Sequence, residues 1–247
     1  MQLTPSIHLV GSGALGFDLT DAFDCHVYLL DDGREAALID AGAGLGTDLI
    51  LENVAAVEGA IDRLRYVLLT HAHADHAGGA ARVKERLPQV ELVTSSQAAE
   101  WIRTGDERAI SLDMGNKAGF YPPDYRFLPC PVDHTVCEGD RICIGSIELS
   151  VIDTPGHCDG HICLKGTVDG RTVLFAGDQI FFGGQVSLQN IWDCRIPEYG
   201  NSMQKLKDAT VDTLLPGHLS VSLKNGQRHI DAANNLFERV YVPKAIF

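Results

Sequence analysis

The stretch LLTHAHADHAGGA, residues 68–80, places three histidines and one aspartate within six residues, directly behind an apolar run. A lone histidine in such a place reads as a solvated loop residue. Four metal-liking groups in register are different. His71 and His73 lie two apart and point the same way from an extended strand end, while Asp75 and His76 open the next turn.

The run YVLLT (66–70) reads as a short strand that delivers the cluster at its C-terminal end. Further along, three more apolar segments end in the same fashion. LSVIDT (149–154) runs into His157, TVLFAG (172–177) into Asp178, and TLLPG (213–217) into His218. Strand ends on one sheet edge are where a rigid scaffold aims several side chains at one point. The count reaches seven candidate ligands, five imidazoles and two carboxylates. A single tetrahedral ion takes about four donors, so seven suit two ions that share a carboxylate.

The rest of the chain sets limits on that chemistry. Its 247 residues, 45% hydrophobic and 21% charged, describe an ordinary folded chain, with no internal repeat, low-complexity tract or linker. One domain over 1–247 is the expectation. No apolar run approaches the roughly 20 residues needed to cross a bilayer. The start MQLTPSIHLVGSG lacks a basic segment followed by an apolar core, so a cytoplasmic location is expected, without membrane partners. Seven cysteines without CxxC pairs suit reduced thiols. The net charge is −13 and the 20 Lys and Arg form no run, which argues against a nucleic-acid partner and for a small-molecule substrate. The oligomeric state is not legible.

HVYLL (26–30) and EAALID (35–40) read as a hairpin around an Asp-Gly turn. Helices are expected over 54–64, over 77–87 up to Pro88, and around 201–208 and 228–240. RICIGSIELSVIDTPG (141–156) and HICLKGTVDGRTVLFAGD (161–178) read as two further hairpins.

As an ordered set, LIDAG (38–42), THAHADHAGG (70–79), EGDRICIGSIELSVIDTPGHCDGH (138–161), LFAGD (174–178) and LLPGH (214–218) resemble the metallo-β-lactamase-fold hydrolase superfamily over nearly the whole chain. The resemblance implies an α/β fold, a four-layer αββα sandwich with the metal site at one edge. It assigns His71, His73 and His157 to a first ion, Asp75, His76 and His218 to a second, and Asp178 to both. Asp75 and Asp178 are the carboxylates it places in the catalytic chemistry. The cofactors implied are two divalent metal ions. Zinc fits the His-rich set, and manganese, iron or cobalt also suits mixed imidazole and carboxylate donors. Two close cations make water acidic and polarise a carbonyl, so hydrolysis of a small ester, lactone, thioester or amide is the expected activity. Two other readings stand beside it: a mononuclear iron oxidoreductase of the persulfide-dioxygenase type, and a non-catalytic scaffold domain.

Several neighbours are read more plainly. By the family pattern His161 is a packing or supporting residue and His134 belongs to a turn before a strand. Asp40 is a candidate partner for the far nitrogen of a ligating imidazole. Cys158, next to a ligand, is read as a spectator thiol because adjacent side chains diverge. Secreted β-lactamases of the family often carry a cysteine ligand, and glyoxalase II enzymes add a helical C-terminal region, whereas only about thirty residues follow His218 here. Quorum-signal lactonases place a tyrosine three residues after the bridging aspartate. This chain has Phe181 there. Residues 106–127 read as a lid or pocket wall, and 185–200 as a second lining segment.

Overall fold

The structure, a computed structural model, describes residues 1–246. Six strands form the first sheet in sequence order: β1 (Ile7–Gly11), β2 (Val27–Asp31), β3 (Ala36–Ile39), β4 (Leu64–Leu68), β5 (Glu91–Ser95) and β6 (His134–Val136). β1 to β3 are antiparallel neighbours, and β3 to β6 run parallel. The second sheet has the order β11-β10-β9-β8-β7, built from β7 (Arg141–Ile144), β8 (Ile147–Asp153), β9 (Ile162–Val168), β10 (Arg171–Gly177) and β11 (Thr213–Pro216). Only β10 and β11 are parallel within it.

β2 and β3 are buried at every position, with no polar alternation, because both faces of their sheet are covered. Alternate side chains go to different cores. Tyr28, Leu30 and Ile39 pack between the sheets with Leu149, Leu164 and Phe175. Leu29 and Leu38 face the other way, onto helices α1 (Thr47–Ala55), α4 (Ala80–Arg86) and α5 (Ser96–Thr104), through Ile50, Val54, Val83 and Ile102. On the far side of the second sheet, Leu174 and Leu214 pack on α7 (Ile196–Lys205) and α8 (Gln227–Glu238) through Tyr199, Met203 and Ile230. Helix, sheet, sheet, helix is the four-layer sandwich that the resemblance implies. Each large apolar side chain buried in these layers contributes roughly 1.5–3 kcal/mol. No helix among the described residues is long and apolar enough to cross a membrane.

Local predictions differ from the structure where tertiary contacts intervene. The single helix expected over 54–64 is instead the end of α1, a turn at Gly59 in the left-handed region (φ 68°), and the short α2 (Ala60–Arg63). Leu64 then already pairs with β3 as the first residue of β4, so the helical pattern is cut by sheet formation. The helix expected over 77–87 is divided into α3 (Ala74–Ala77) and α4, with Gly78 and Gly79 between them. His134 opens strand β6 rather than sitting in a turn. The segment 106–127 contains α6 (Leu112–Ala118).

Candidate metal centre

Four strands from the two sheets end at one edge, and the candidate ligands follow them closely. His71 comes three residues after β4, His157 four after β8, Asp178 directly after β10, and His218 two after β11. Backbone hydrogen bonds lace these ends together. Ile162 donates to the carbonyl of Thr70 at 2.8 Å, Gly217 to that of Gly177 at 2.7 Å, and His26 to that of Gly217 at 2.6 Å. Tyr28 Oη adds a bond to the Pro216 carbonyl at 2.6 Å.

All seven residues meet at this edge. Donor atoms of His71, His73 and His157 lie within 4.8 Å of one another, as do those of Asp75, His76 and His218. Asp178 lies between the groups. Its Oδ1 is 3.3 Å from His76 Nε2, and its Oδ2 is 3.6 Å from His157 Nε2.

The hydrogen bonds behind the imidazoles show which nitrogens face inward. His76 Nδ1 is paired with Asp40 Oδ2 at 2.8 Å, His71 Nδ1 with Thr70 Oγ1 at 3.0 Å, and His157 Nδ1 with the Ser187 carbonyl at 3.1 Å. Such outer partners orient a ligating ring. With those positions taken, the inward nitrogens crowd one another: His157 Nε2 is 2.9 Å from His73 Nδ1, and His76 Nε2 is 3.3 Å from His218 Nε2. His71 Nε2 and Asp178 Oδ1 are buried without any hydrogen-bond partner. Buried polar atoms without a partner are costly, and a cation beside them removes the cost. The donors therefore fit divalent metal.

At the first triplet the electrostatics agree. Burial, with the neighbouring imidazoles, pulls His71 well below its ordinary pKa. Burial and His157 bring His73 down to about 3. Burial also lowers His157. These rings are neutral at physiological pH, the form that ligates. At the second set, burial works against charging either partner, but the surrounding Cys25, Asp75, Asp40 and Asp178 push His76 above its ordinary pKa, and His76 with His218 holds the carboxyls of Asp75 and Asp178 below their usual range.

The plainer readings can now be placed. His161 uses both nitrogens elsewhere: Nδ1 meets Thr154 Oγ1 at 2.8 Å and Nε2 accepts from the Asp178 amide at 3.1 Å. It steers Asp178. Gly177, at φ 48°, permits this, since a Cβ there would sit 2.6 Å from His161 Nε2. Asp40 also accepts from the amide and hydroxyl of Thr70, so one carboxylate fixes both sides of the His71–His76 turn. His134 is exposed and pairs with Glu91, remote from the centre. Cys158 stays closer than adjacency suggests, with Sγ within 4.8 Å of the first triplet's nitrogens, although burial lifts its pKa well above that of a free thiol. Phe181 is buried, its ring stacked 6.4 Å from that of His218.

Two supporting tyrosines escape motif reading. Tyr199 Oη donates to the Asp178 carbonyl at 2.7 Å and accepts from the Ser187 amide at 3.2 Å. Tyr121, from the 106–127 segment, donates to Asp75 Oδ1 at 3.2 Å and stacks on Tyr125, which is anchored to the Ala43 carbonyl at 2.7 Å. Beside the centre opens a cavity of about 730 Å³ whose floor includes His73, Asp75 and His218. The 106–127 segment forms one wall, and Leu188–Ile191 another. Within 185–200, Trp192 donates to the Ala109 carbonyl, and Arg195 pairs with Asp159 and Glu198.

His26 braces the His218 turn through Nε2, 2.7 Å from the Leu219 carbonyl, and burial lowers its pKa to about 4. An unfolded histidine titrates near about 6.5, so below that pH the unfolded chain binds a proton that the folded chain does not. Stability is complete above about pH 6.5 and falls as the pH drops toward the folded value. Wild type is expected to lose about 2 kcal/mol between about pH 6.5 and about pH 5 that His26→Asn does not lose. Urea unfolding of both proteins at the two pH values measures it, and parallel losses would acquit His26.

The model of the metallo-β-lactamase superfamily matches residues 20–218. The chain belongs to that superfamily, and it is a hydrolase of the metallo-β-lactamase family. It is 27% identical over 210 residues to an acyl-coenzyme A thioesterase of Gallus gallus, an alignment covering 79% of this chain and 73% of that one. It is 29% identical over 176 residues to a hydroxyacylglutathione hydrolase of Xanthomonas euvesicatoria pv. vesicatoria, covering 70% of this chain and 54% of that one. The chain thus spans about half the length of the second relative. Among solved structures, a Cronobacter sakazakii metallo-β-lactamase described by a HARLDQ motif superimposes with TM-score 0.69 at 26% identity, over 88% of this chain and 77% of that one. A subclass B3 metallo-β-lactamase of Bradyrhizobium japonicum, 24% identical, shares the fold with TM-score 0.73 over 97% and 91% of the two chains.

Proposed function

We propose that the protein uses two divalent ions, zinc by the chemistry of the donors, to hydrolyse a small ester, lactone, thioester or amide. The observation that carries this reading is the gathering of the donors into two adjoining triplets, with one oxygen of Asp178 turned toward each. His71, His73 and His157 would hold the first ion, Asp75, His76 and His218 the second, with Asp178 placed to serve both. Bound there, the ions supply Lewis acidity to water, to the substrate carbonyl and to the departing group.

The chain's own residues do the positioning. Tyr121 keeps its proton, because burial and Asp75 push its pKa well above the ordinary tyrosine value, so it remains a donor that fixes Asp75 Oδ1. Asp75 Oδ2 is left facing His218 Nε2, at 3.1 Å. Asp40, Ser187 and Thr70 hold the outer nitrogens of the rings and keep them from turning. In the overall reaction the oxygen of water joins the acyl carbon, the bond to the leaving oxygen, sulfur or nitrogen breaks, and a proton goes to the departing group. The thioesterase and the hydroxyacylglutathione hydrolase among the relatives favour the thioester within this set.

Elemental analysis paired with a panel of thioester, lactone, β-lactam and phosphodiester substrates tests the reading. About two equivalents of metal per chain and chelator-sensitive thioester or lactone hydrolysis are expected. A single iron with oxygen uptake, or hydrolysis that survives metal removal, would overturn it.

A further inference from the structure

We infer that the cavity beside the metal centre is an acyl pocket that selects an uncharged, apolar acyl chain; this rests on the hydrolase reading above. At about 730 Å³ the cavity falls within the usual range for a small-molecule site. Its walls are mostly apolar. Leu112 and Met114 of α6 line one side, Phe23 a second, and Leu188 with Ile191 a third. The polar side chains among them, Ser111, Gln189 and Asn190, are neutral.

The charges decide the class of occupant. Among the described residues lining the cavity there is no lysine or arginine, and the only carboxylates are Asp24 and Asp75. Asp24 already accepts from Thr20 Oγ1 at 2.7 Å and from the Ala43 amide at 2.8 Å, and Asp75 is engaged by Tyr121. An acyl arm ending in a carboxylate would meet these negative groups and no lysine or arginine to pair with, after losing its water. The same holds for a thiol carrier bearing phosphates or carboxylates, which is therefore excluded from this cavity. The acyl arm remains as the occupant. A neutral alkyl chain gains from every methylene it buries against these walls. Any cationic charge is confined to the floor, where the substrate carbonyl must lie.

The test uses metal-loaded protein and a series of acyl thioesters of one thiol, from acetyl to hexanoyl, with adipoyl as the acid-terminated counterpart of hexanoyl. The value of kcat/KM is expected to rise about fourfold per added methylene until the pocket fills. Adipoyl should fall at least about tenfold below hexanoyl. Met114 is 38% exposed at the cavity rim, so Met114→Arg installs a cation without disturbing the core. That variant should bring adipoyl to within about threefold of hexanoyl, with bound metal unchanged. Methyl ketones with propyl to nonyl chains, which have no leaving group, read the pocket by calorimetry and should tighten along the same series. Flat rates across the acyl series, or ketone affinities independent of chain length, overturn the pocket. Ketones that bind by chain length, with no thioester, ester or lactone hydrolysed, support the pocket and overturn the hydrolase reading instead.

Discussion

Asp178→Ala is expected to leave a protein that binds about one metal ion per chain and turns over about a thousandfold more slowly. The expectation follows from position: Oδ1 faces His76 at 3.3 Å and Oδ2 faces His157 at 3.6 Å, so one side chain serves both sets of donors. Its negative charge also offsets the repulsion between two close cations. Without it, Asp75, His76 and His218 hold their ion more weakly, whereas His71, His73 and His157 form a three-imidazole set that suffices for a zinc site. One cation is worth several kcal/mol of transition-state stabilisation, which corresponds to about a thousandfold in rate. Water is then less acidified, and the pH–rate curve should move upward. Elemental analysis of the purified variant is the check. Two equivalents of metal with near-normal activity would sink the bridging role and the dinuclear reading with it.

The second large effect separates holding a metal from supporting it. His71→Ala and His157→Ala should each abolish measurable turnover and release the first ion, with the fold retained, because each removes an inward nitrogen from the same triplet. His161→Ala should keep its metal and retain activity lowered by about 10–100-fold. Its imidazole touches the backbone of Asp178 and the hydroxyl of Thr154 and offers no free nitrogen to an ion. Metal content, circular dichroism and turnover, measured together on the three variants, decide between these roles. Loss of metal from the His161 variant as complete as from the His71 variant would reverse the assignment.

Much of the centre was legible because its signal is local. HAHADH occupies consecutive positions, and the other proposed ligands announce themselves as His or Asp at the ends of apolar runs; both patterns depend only on strand alternation and chain order. The fold class follows from the same ordered motifs. Helix boundaries near Gly59 and Gly78 were less readable, since pairing of Leu64 with β3 ends a helical pattern that its own residues would continue. Asp40 could be suspected as a partner, but that it would grip Thr70 and His76 together depends on β3 lying beside β4.

Other features came into being only when distant segments met. Tyr121 reaches Asp75 across 46 positions, Tyr199 reaches the Asp178 carbonyl across 21, and Tyr28 reaches that of Pro216 across 188. No short-range pattern marks any of the three, because a hydroxyl's partner is set by packing and not by its neighbours in the chain. The cavity beside the metal centre is the extreme case: its walls come from residues near 15–24, 110–121 and 188–191, each unremarkable alone. Ligand identity and order are properties of the chain, fixed by which residue follows which strand. Shape and charge of the pocket are properties of the assembled layers, because only close packing of remote segments decides which side chains share a wall and which charges are kept out of it.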